Sequence, residues 1–460
     1  MPAVSAQEEE RTPAGSAREG GDWRNPLLLL DPWLILLLGA AILLQVTGDP
    51  AFATLRQYSR WDGEVVRTVL AVAGVAVLLL FATAVLAWPE RWSVRSYARL
   101  KLATLVLFGL LIVGAPVAQR SLQRLRSGHP LQFAHDGGVV QTEESARFLL
   151  RGVNPYAADF AATPLREVGI PAILHHNPYL PGSFLLSVPF VGLADALKLP
   201  FDQRWIYLAV YALGVWLAPR AFRHPGAAEL ARTGFALNPL VVPYLVVGRN
   251  DIYVIGFLLF AYVCLVRGRA IGFCLCLAAA CAIKQFAWLI APFLLLSAAR
   301  ILPAAPLRRG LAWGAALLAL VLLPFFLWGP ADFIDDIYRF NAGTSHDNYP
   351  LGGTPGFGFA MLAAVLGWAP DRNAYYPLTP YLLATAAPLA LFLLVRLARR
   401  PQPEDAFFFS FLLCFWIFFF SRVFNNNYFG LLAFLAQMGA LAAADRQLAA
   451  PATAAGAGRP

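Results

Sequence analysis

The amino-acid sequence predicts an all-α, polytopic integral membrane protein of about 11–14 transmembrane helices with a large first extracytoplasmic loop. Three observations predict it. Charged residues make up only 14% of the 460 and apolar ones 59%. Soluble chains carry about 25% charged residues, so most side chains here must face one another or lipid. Apolar runs of the length that crosses a hydrocarbon layer about 30 Å thick recur from one end of the chain to the other. Arginines cluster just outside those runs, at 91–101, 267–269, 308–309 and 396–400, as cytoplasmic loops do under the positive-inside rule.

The runs fall at 27–46, 66–88, 102–118, 180–197, 204–219, 233–248, 251–267, 270–283, 286–300, 310–328, 377–396, 406–421 and 428–443. A further apolar stretch, 356–369, is too short to cross. Residues 1–26 are polar and precede a run with no small-residue cleavage pattern, so the first span is expected to be retained behind a disordered cytoplasmic N-terminus. Residues 444–460 are Ala/Gly/Pro-rich and are expected to be disordered as well. The body, 27–443, reads as one transmembrane domain. No fixed period is visible, so neither a solenoid nor an inverted transporter repeat is supported.

The arginine loops set the orientation. With 91–101 in the cytoplasm, 119–179 lies outside and is the largest polar connection. "GRND" (248–251), Lys284-Gln285, the loop 329–355 and "SRVFNNNY" (421–428) fall on the same outer side. One conflict stands. The loop 220–232 is also Arg-rich, yet it faces outward if both 180–197 and 204–219 cross fully.

The formal net charge of +9 sits in these flanking loops, which argues for a membrane and against a nucleic-acid partner. Cys264, Cys274, Cys276, Cys281 and Cys414 all lie in apolar runs with no His or carboxylate beside them to complete a metal set, and read as small buried hydrophobes.

An ionisable residue near a membrane needs a partner or a task. Asp136 heads the first outer loop, before Gly137 and Gly138. Glu143 and Glu144 follow in "ESARFLL", an amphipathic helix expected to lie along the membrane surface. "HHNPYLPGSF" (175–184) brings His175, His176, Asn177 and Tyr179 to a span entrance, where proline keeps the chain extended. Arg249, Asn250 and Asp251 interrupt two runs, Lys284 interrupts another, and Arg422 precedes Asn425, Asn426, Asn427 and Tyr428. Each has an ordinary explanation: an N-cap for Asp136, snorkelling for Lys284, an aromatic belt around the histidines. Their convergence on one face makes them a candidate site.

In this order, an Asp ahead of an amphipathic helix ending in "GVNPY", then "NPYLPG", "GRND", a lone Lys and "NNNYF", the chain resembles the GT-C glycosyltransferases. Within them it is most similar to bacterial polyprenyl-phosphate-mannose-dependent mannosyltransferases of the phosphatidylinositol mannoside type and to the GPI mannosyltransferase I catalytic subunit. The resemblance implies a polyprenyl-phosphate sugar donor (mannose), a lipid or glycan acceptor met on the extracytoplasmic face, and an inverting displacement. It implies Asp136 as the base. Glu143 and Glu144 are the alternates.

The chemistry suits the residues. A carboxylate can take the acceptor's proton, and cations must meet the departing phosphate, for which Arg249, Lys284 and Arg422 are available. His175, His176, Asn177, Tyr179, Asn250, Asp251, Asn426, Asn427 and Tyr428 would contact sugar or acceptor. No "GxxxxGK[ST]" loop is present, as suits a donor arriving through the membrane, and no organic cofactor is expected. A divalent metal stays open, since Asp136, Glu143, Asp251 and Asp347 offer oxygens at no spacing that specifies a site. A secondary transporter or lipid-linked sugar flippase is the alternative. It needs charged or broken helices at the bilayer midplane and an internal repeat, and leaves 119–179 without a use.

The orientation is directly testable. Single cysteines placed in 125–170 or 335–350 of a Cys-free variant should react with a membrane-impermeant thiol reagent in intact cells, and cysteines in 91–99 should not. The reverse pattern would invert the topology.

Overall fold

The computed structural model describes residues 26–48, 63–87, 91–127, 137–353 and 356–449. Asp136 and the remaining segments lie outside the described residues. The architecture is all-α, with only isolated bridges, Gly352 to Val423 and Gly356 to Asn425, among the described residues. Among the described residues, seven helices are long and apolar enough to cross a membrane: Leu28–Val46, Thr68–Ala87, Val94–Arg124, Ala304–Trp328, Leu378–Arg399, Pro403–Phe420 and Tyr428–Leu448. Three shorter apolar helices, Asp251–Val266, Ala270–Ile283 and Phe286–Ile301, lie among them. This is a polytopic membrane protein.

Burial explains why the short helices suffice. Asp251–Val266 is buried along nearly its whole length, packed against Ala270–Ile283 and Arg204–Leu217. Its surroundings are other helices rather than lipid, so it need not match the full hydrocarbon thickness alone. The long Ala304–Trp328 and Leu378–Arg399 helices expose most of their apolar surface, as lipid-facing elements do.

Two expected spans are interrupted instead. The segment 180–197 forms the short helices Gly182–Leu185 and Val188–Ala196. Pro189 has no N–H to continue the ladder across that join. The segment 233–248 breaks between Pro225–Ala236 and Val242–Val246, at Pro239 and Pro243. A hydropathy window averages over such prolines. Two boundaries also move. The third long helix runs on through a π turn, Leu110–Gly114, to Ser127, beyond the expected end at 118. Tyr428–Ala449 passes the expected start of the disordered tail at 444.

These breaks remove the conflict over 220–232. Arg232 donates to the Ala98 carbonyl (3.3 Å), Arg267 to that of Arg220 (3.3 Å), and Arg446 pairs with Glu404 (2.6 Å). Asp445 accepts from the Arg223 and His224 peptide N–H groups. The Arg-rich segments therefore meet at one end of the bundle. Because Gly182–Ala196 does not cross, 198–203 stays at the opposite end with 137–179, and Arg204–Leu217 returns the chain to the arginine end.

That end is held by a buried ion cluster. Asp31 of the first helix accepts from Tyr97 (2.6 Å) and Thr233 (2.5 Å) and pairs with Lys101. Lys101 also lies 3.4 Å from Glu229, which pairs with Arg232 at 2.8 Å. Asp31 and Lys101 are fully buried. Removing one charge strands the other, whereas removing both does not. Lys101→Met is expected to cost about 3–5 kcal/mol, and Asp31→Asn/Lys101→Met substantially less. Thermal unfolding in detergent micelles checks this; equal losses in the single and double variants would deny the coupling.

Candidate active site

The polar segments singled out in the sequence converge at the end opposite the arginine loops. Lys284 sits in an extended break (φ −151°) between Ala270–Ile283 and Phe286–Ile301. Its Nζ points inward, donating to Asp251 Oδ1 at 2.6 Å and Asn250 Oδ1 at 3.1 Å, so it does not snorkel. The other Asp251 oxygen accepts from the Asn427 side-chain amide. Asn427 and Asn426 offer their amide oxygens to Arg249, the latter at 2.6 Å. "GRND" is thus no self-neutralising turn. Its Arg and Asp face different partners, and a run of contacts, Lys284–Asp251–Asn427–Arg249, closed into a ring by the 249–251 backbone, ties three helix junctions together. The Phe286 and Tyr428 rings wall Lys284 at 5.0 and 5.6 Å from Nζ.

Gly248 joins this ring to the segment that begins at Gly137. Its left-handed φ of +94° favours glycine, and a Cβ there would collide with Val139. The ring therefore abuts the start of the Gly137–Leu150 helix, to whose first residue Asp136 is bonded. Gly152, also left-handed (φ +73°), ends this helix as its sequence suggests. Among the described residues the helix already runs from Gly137, ahead of Glu143 and Glu144, and its N-terminal half is buried in the protein instead of lying on a membrane surface.

Burial gives the two glutamates different settings. Both Glu143 oxygens accept from Arg124, at 3.1 and 2.6 Å, and Oε1 also takes the Gln203 peptide N–H at 2.9 Å. Arg124 reaches Asp202 at 3.0 Å, and Asp202 pairs with Arg204 at 2.6 Å. Burial alone would raise the Asp202 pKa, but Arg204 and Arg124 hold it well below the usual carboxylate range. Glu143, expected as an alternate base, instead has both oxygens occupied in a charge-balanced cluster of Arg124, Arg204, Asp202 and Glu143. Glu144 pairs with Arg147 at 2.7 Å, and Arg147 also meets Asp195.

Arg422 likewise departs from expectation. Its guanidinium donates to the carbonyls of Tyr349 (2.7 Å), Ala374 (3.0 Å) and Arg372 (2.8 Å). Burial lowers its pKa to about 10. It fastens the 343–376 loop rather than joining the ring around Lys284.

The paired histidines separate. His175 is exposed, 3.7 Å from Asp159. His176 is buried, with Nδ1 2.8 Å from Asp336 Oδ1. The other Asp336 oxygen accepts the Asn177 peptide N–H at 2.8 Å, while the Asn177 side chain donates to Ser145 at 3.0 Å. Burial pushes the Asp336 carboxyl up to about 6, against the opposing pull of His176. The Tyr179 carbonyl accepts from Tyr156 at 2.8 Å, and Gln285 donates to Pro178 at 3.0 Å, which anchors this loop beside Lys284. One ligand atom from each of His176, Asp335 and His346 lies within 4.8 Å of the others, so these residues could hold a metal. Beside His346 opens a polar cleft of about 570 Å³, lined by Ser345, Asn348, Asp371, Asn373 and Tyr375 among others.

Sequence reasoning missed Asp335, Asp336 and His346, although adjacent acids in an outer loop were a usable signal. It also missed Asp31, the one acid inside the first apolar run.

Residues 145–300 match a family described as Alpha-(1->6)-mannopyranosyltransferase, N-terminal domain, of the MptA/B type. The match covers about a third of the chain and contains His176, Asn177, Arg249, Asn250, Asp251 and Lys284. No curated protein and no solved structure matches. The family match supports the GT-C-like resemblance and mannosyl transfer as the reaction class. With the apolar helices, it makes the chain a membrane-bound enzyme of the mannosyltransferase type.

Glu143→Gln removes a charge from the balanced cluster and leaves Arg124 and Arg204 facing Asp202 alone. A loss of about 3–5 kcal/mol is expected, with transfer per folded molecule within about threefold of wild type, far less than loss of a general base costs. Unfolding and specific activity measured on the same detergent-purified sample check it; a stable but inactive variant would make Glu143 the base.

Proposed function

We propose that the enzyme moves a mannosyl group from a polyprenyl-phosphate donor to a hydroxyl of a lipid or glycan acceptor. The transfer inverts the anomeric centre and takes place at the extracytoplasmic end of the bundle. The observation that carries this reading is the convergence of Lys284 and Arg249 with Asp251 and Asn427 at one end of the bundle, beside the start of the Gly137–Leu150 helix. A polyprenyl phosphodiester carries a negative charge that these two cations can meet as its bond to the sugar breaks, in a setting where low dielectric strengthens the attraction.

The chemistry then runs between neighbours. The acceptor oxygen attacks C1 of the mannosyl group as the bond from C1 to the phosphate oxygen breaks. The electron pair of that bond leaves with the polyprenyl phosphate, toward Lys284 and Arg249. A carboxylate takes the acceptor's proton, and Asp136 is the residue for it. Support comes from the contact of Val139 with Gly248, which sets the helix that follows Asp136 against the ring. Asn426, Asn427 and Tyr428 frame the donor, and the cleft beside His346 has the size and polarity for an acceptor glycan.

Purified protein incubated with labelled polyprenyl-phosphate mannose and a membrane extract should form a labelled lipid or glycan. Asp136→Asn should keep donor binding and slow transfer by about a hundredfold to ten-thousandfold. Lys284→Met should weaken donor binding and slow transfer by about tenfold to a hundredfold per folded molecule, alongside the loss of stability that stranding Asp251 brings. Wild-type transfer by Asp136→Asn would move the base elsewhere, and wild-type donor affinity in Lys284→Met and Arg249→Gln would reduce the ring to a structural tie.

A further inference from the structure

His176 is fixed more firmly than substrate contact alone would ask. Its carbonyl accepts from Gln141 at 2.5 Å, its ring stacks on Phe340 with centroids 4.5 Å apart, and Asp336 holds Nδ1. A carboxylate on Nδ1 keeps that proton in place and leaves a lone pair on Nε2. Nε2 is buried and has no hydrogen-bond partner, although His176 is only 2% exposed. A buried nitrogen with no partner is unfavourable unless something else binds it.

The neighbours suggest what does. The His346 ring lies 5.9 Å from the His176 ring. One ligand atom from each of His176, Asp335 and His346 lies within 4.8 Å of the other two; Asp335 Oδ2 now lies 3.5 Å from His176 Nδ1 and accepts from Ser345 at 2.9 Å, so it would swing toward Nε2 on loading. Two imidazoles and one carboxylate are a nitrogen-rich set suited to zinc and its neighbours, not the all-oxygen set of calcium or magnesium. Asp336 then stands as the outer carboxylate that orients a ligating imidazole.

We infer that His176, Asp335 and His346 bind one divalent transition-metal ion of the zinc type where the 176 loop meets the polar cleft. Tetrahedral bonds of about 2.0–2.1 Å place ligand atoms about 3.4 Å apart, so the three groups close by up to about 1.4 Å on loading. His346 can supply that movement, because its side chain is 79% exposed. Three protein ligands leave the fourth position for water or for a hydroxyl of a sugar in the cleft. The site does not depend on which sugar moves or where it goes.

The test is metal content, not transfer. Tag-free, full-length protein in detergent is stripped with chelator, reloaded with Zn²⁺ and desalted, and bound metal is counted by mass spectrometry. One zinc per chain is expected, with a rise in melting temperature on loading. His346→Ala and Asp335→Asn should lose stoichiometric zinc, and Asp336→Asn should bind about tenfold to a hundredfold more weakly. The exposed His346 makes its variant safe for folding. The inference is overturned if wild-type protein retains no zinc, or if His346→Ala holds as much as wild type. Neither outcome bears on the transferase reading.

Discussion

The contact of Lys284 with Asp251 is the constraint on which this end of the molecule depends. Both residues stand at helix junctions inside an apolar bundle, where a lone charge would be intolerable. Each break frees backbone groups and brings a polar side chain to the same depth. The pair makes the breaks mutually necessary: Lys284 requires the interruption at Asn250-Asp251, and Asp251 requires the interruption after Ile283. Asn427 and Arg249 extend the pair to the Phe420–Tyr428 connection. Three hairpins distant in sequence therefore cannot shift independently, and what they frame is held in position before any ligand arrives.

Much of the buried charge elsewhere in the bundle falls in clusters of both signs. Asp31 and Lys101 join the first and third long helices to Pro225–Ala236, and Arg124 with Glu143 joins the third helix to the Gly137–Leu150 helix. Such clusters contribute less to net stability than their Coulomb attraction suggests, because desolvation offsets most of it. Their larger effect is on register, since a slipped helix would leave several charges unpaired at once. The polar residues around Lys284 add a third such tie, at the place where three helix junctions meet.

How much of this was legible in the sequence follows from the range of each interaction. Helices are local, and long apolar runs such as 304–328 announced themselves. So did the shared face of "GRND", Lys284 and "NNNYF", because orientation alternates predictably from span to span. The interrupted segments 180–197 and 233–248 were misread because hydropathy averages over the prolines that break them. Glu143 read as an exposed acid because its partner Arg124 lies in another helix, nineteen residues away. His176 and Asp336 are 160 residues apart, and no local pattern joins them. Asp136, the strongest reading by resemblance, falls outside the described residues.

The distribution of buried charge also separates a transferase from a transporter. Alternating access requires ionisable groups or broken helices near the bilayer midplane, where substrate is held between two gates. Here the buried ionisable residues fall in two layers. Among the described residues, Asp31, Lys101, Glu229 and Glu404 lie at the arginine end, and Arg120, Glu143, His176, Asp202, Arg204, Asp251, Lys284, Asp336 and Arg422 lie at the other. Between them, Asp251–Val266 and Ala270–Ile283 present apolar and small side chains to their neighbours. A sugar carried through that middle would find few partners for its hydroxyls, and an isolated polar group there would cost several kcal/mol. A donor whose polyprenyl chain stays in lipid and whose phosphate reaches only the end of the bundle needs no such path.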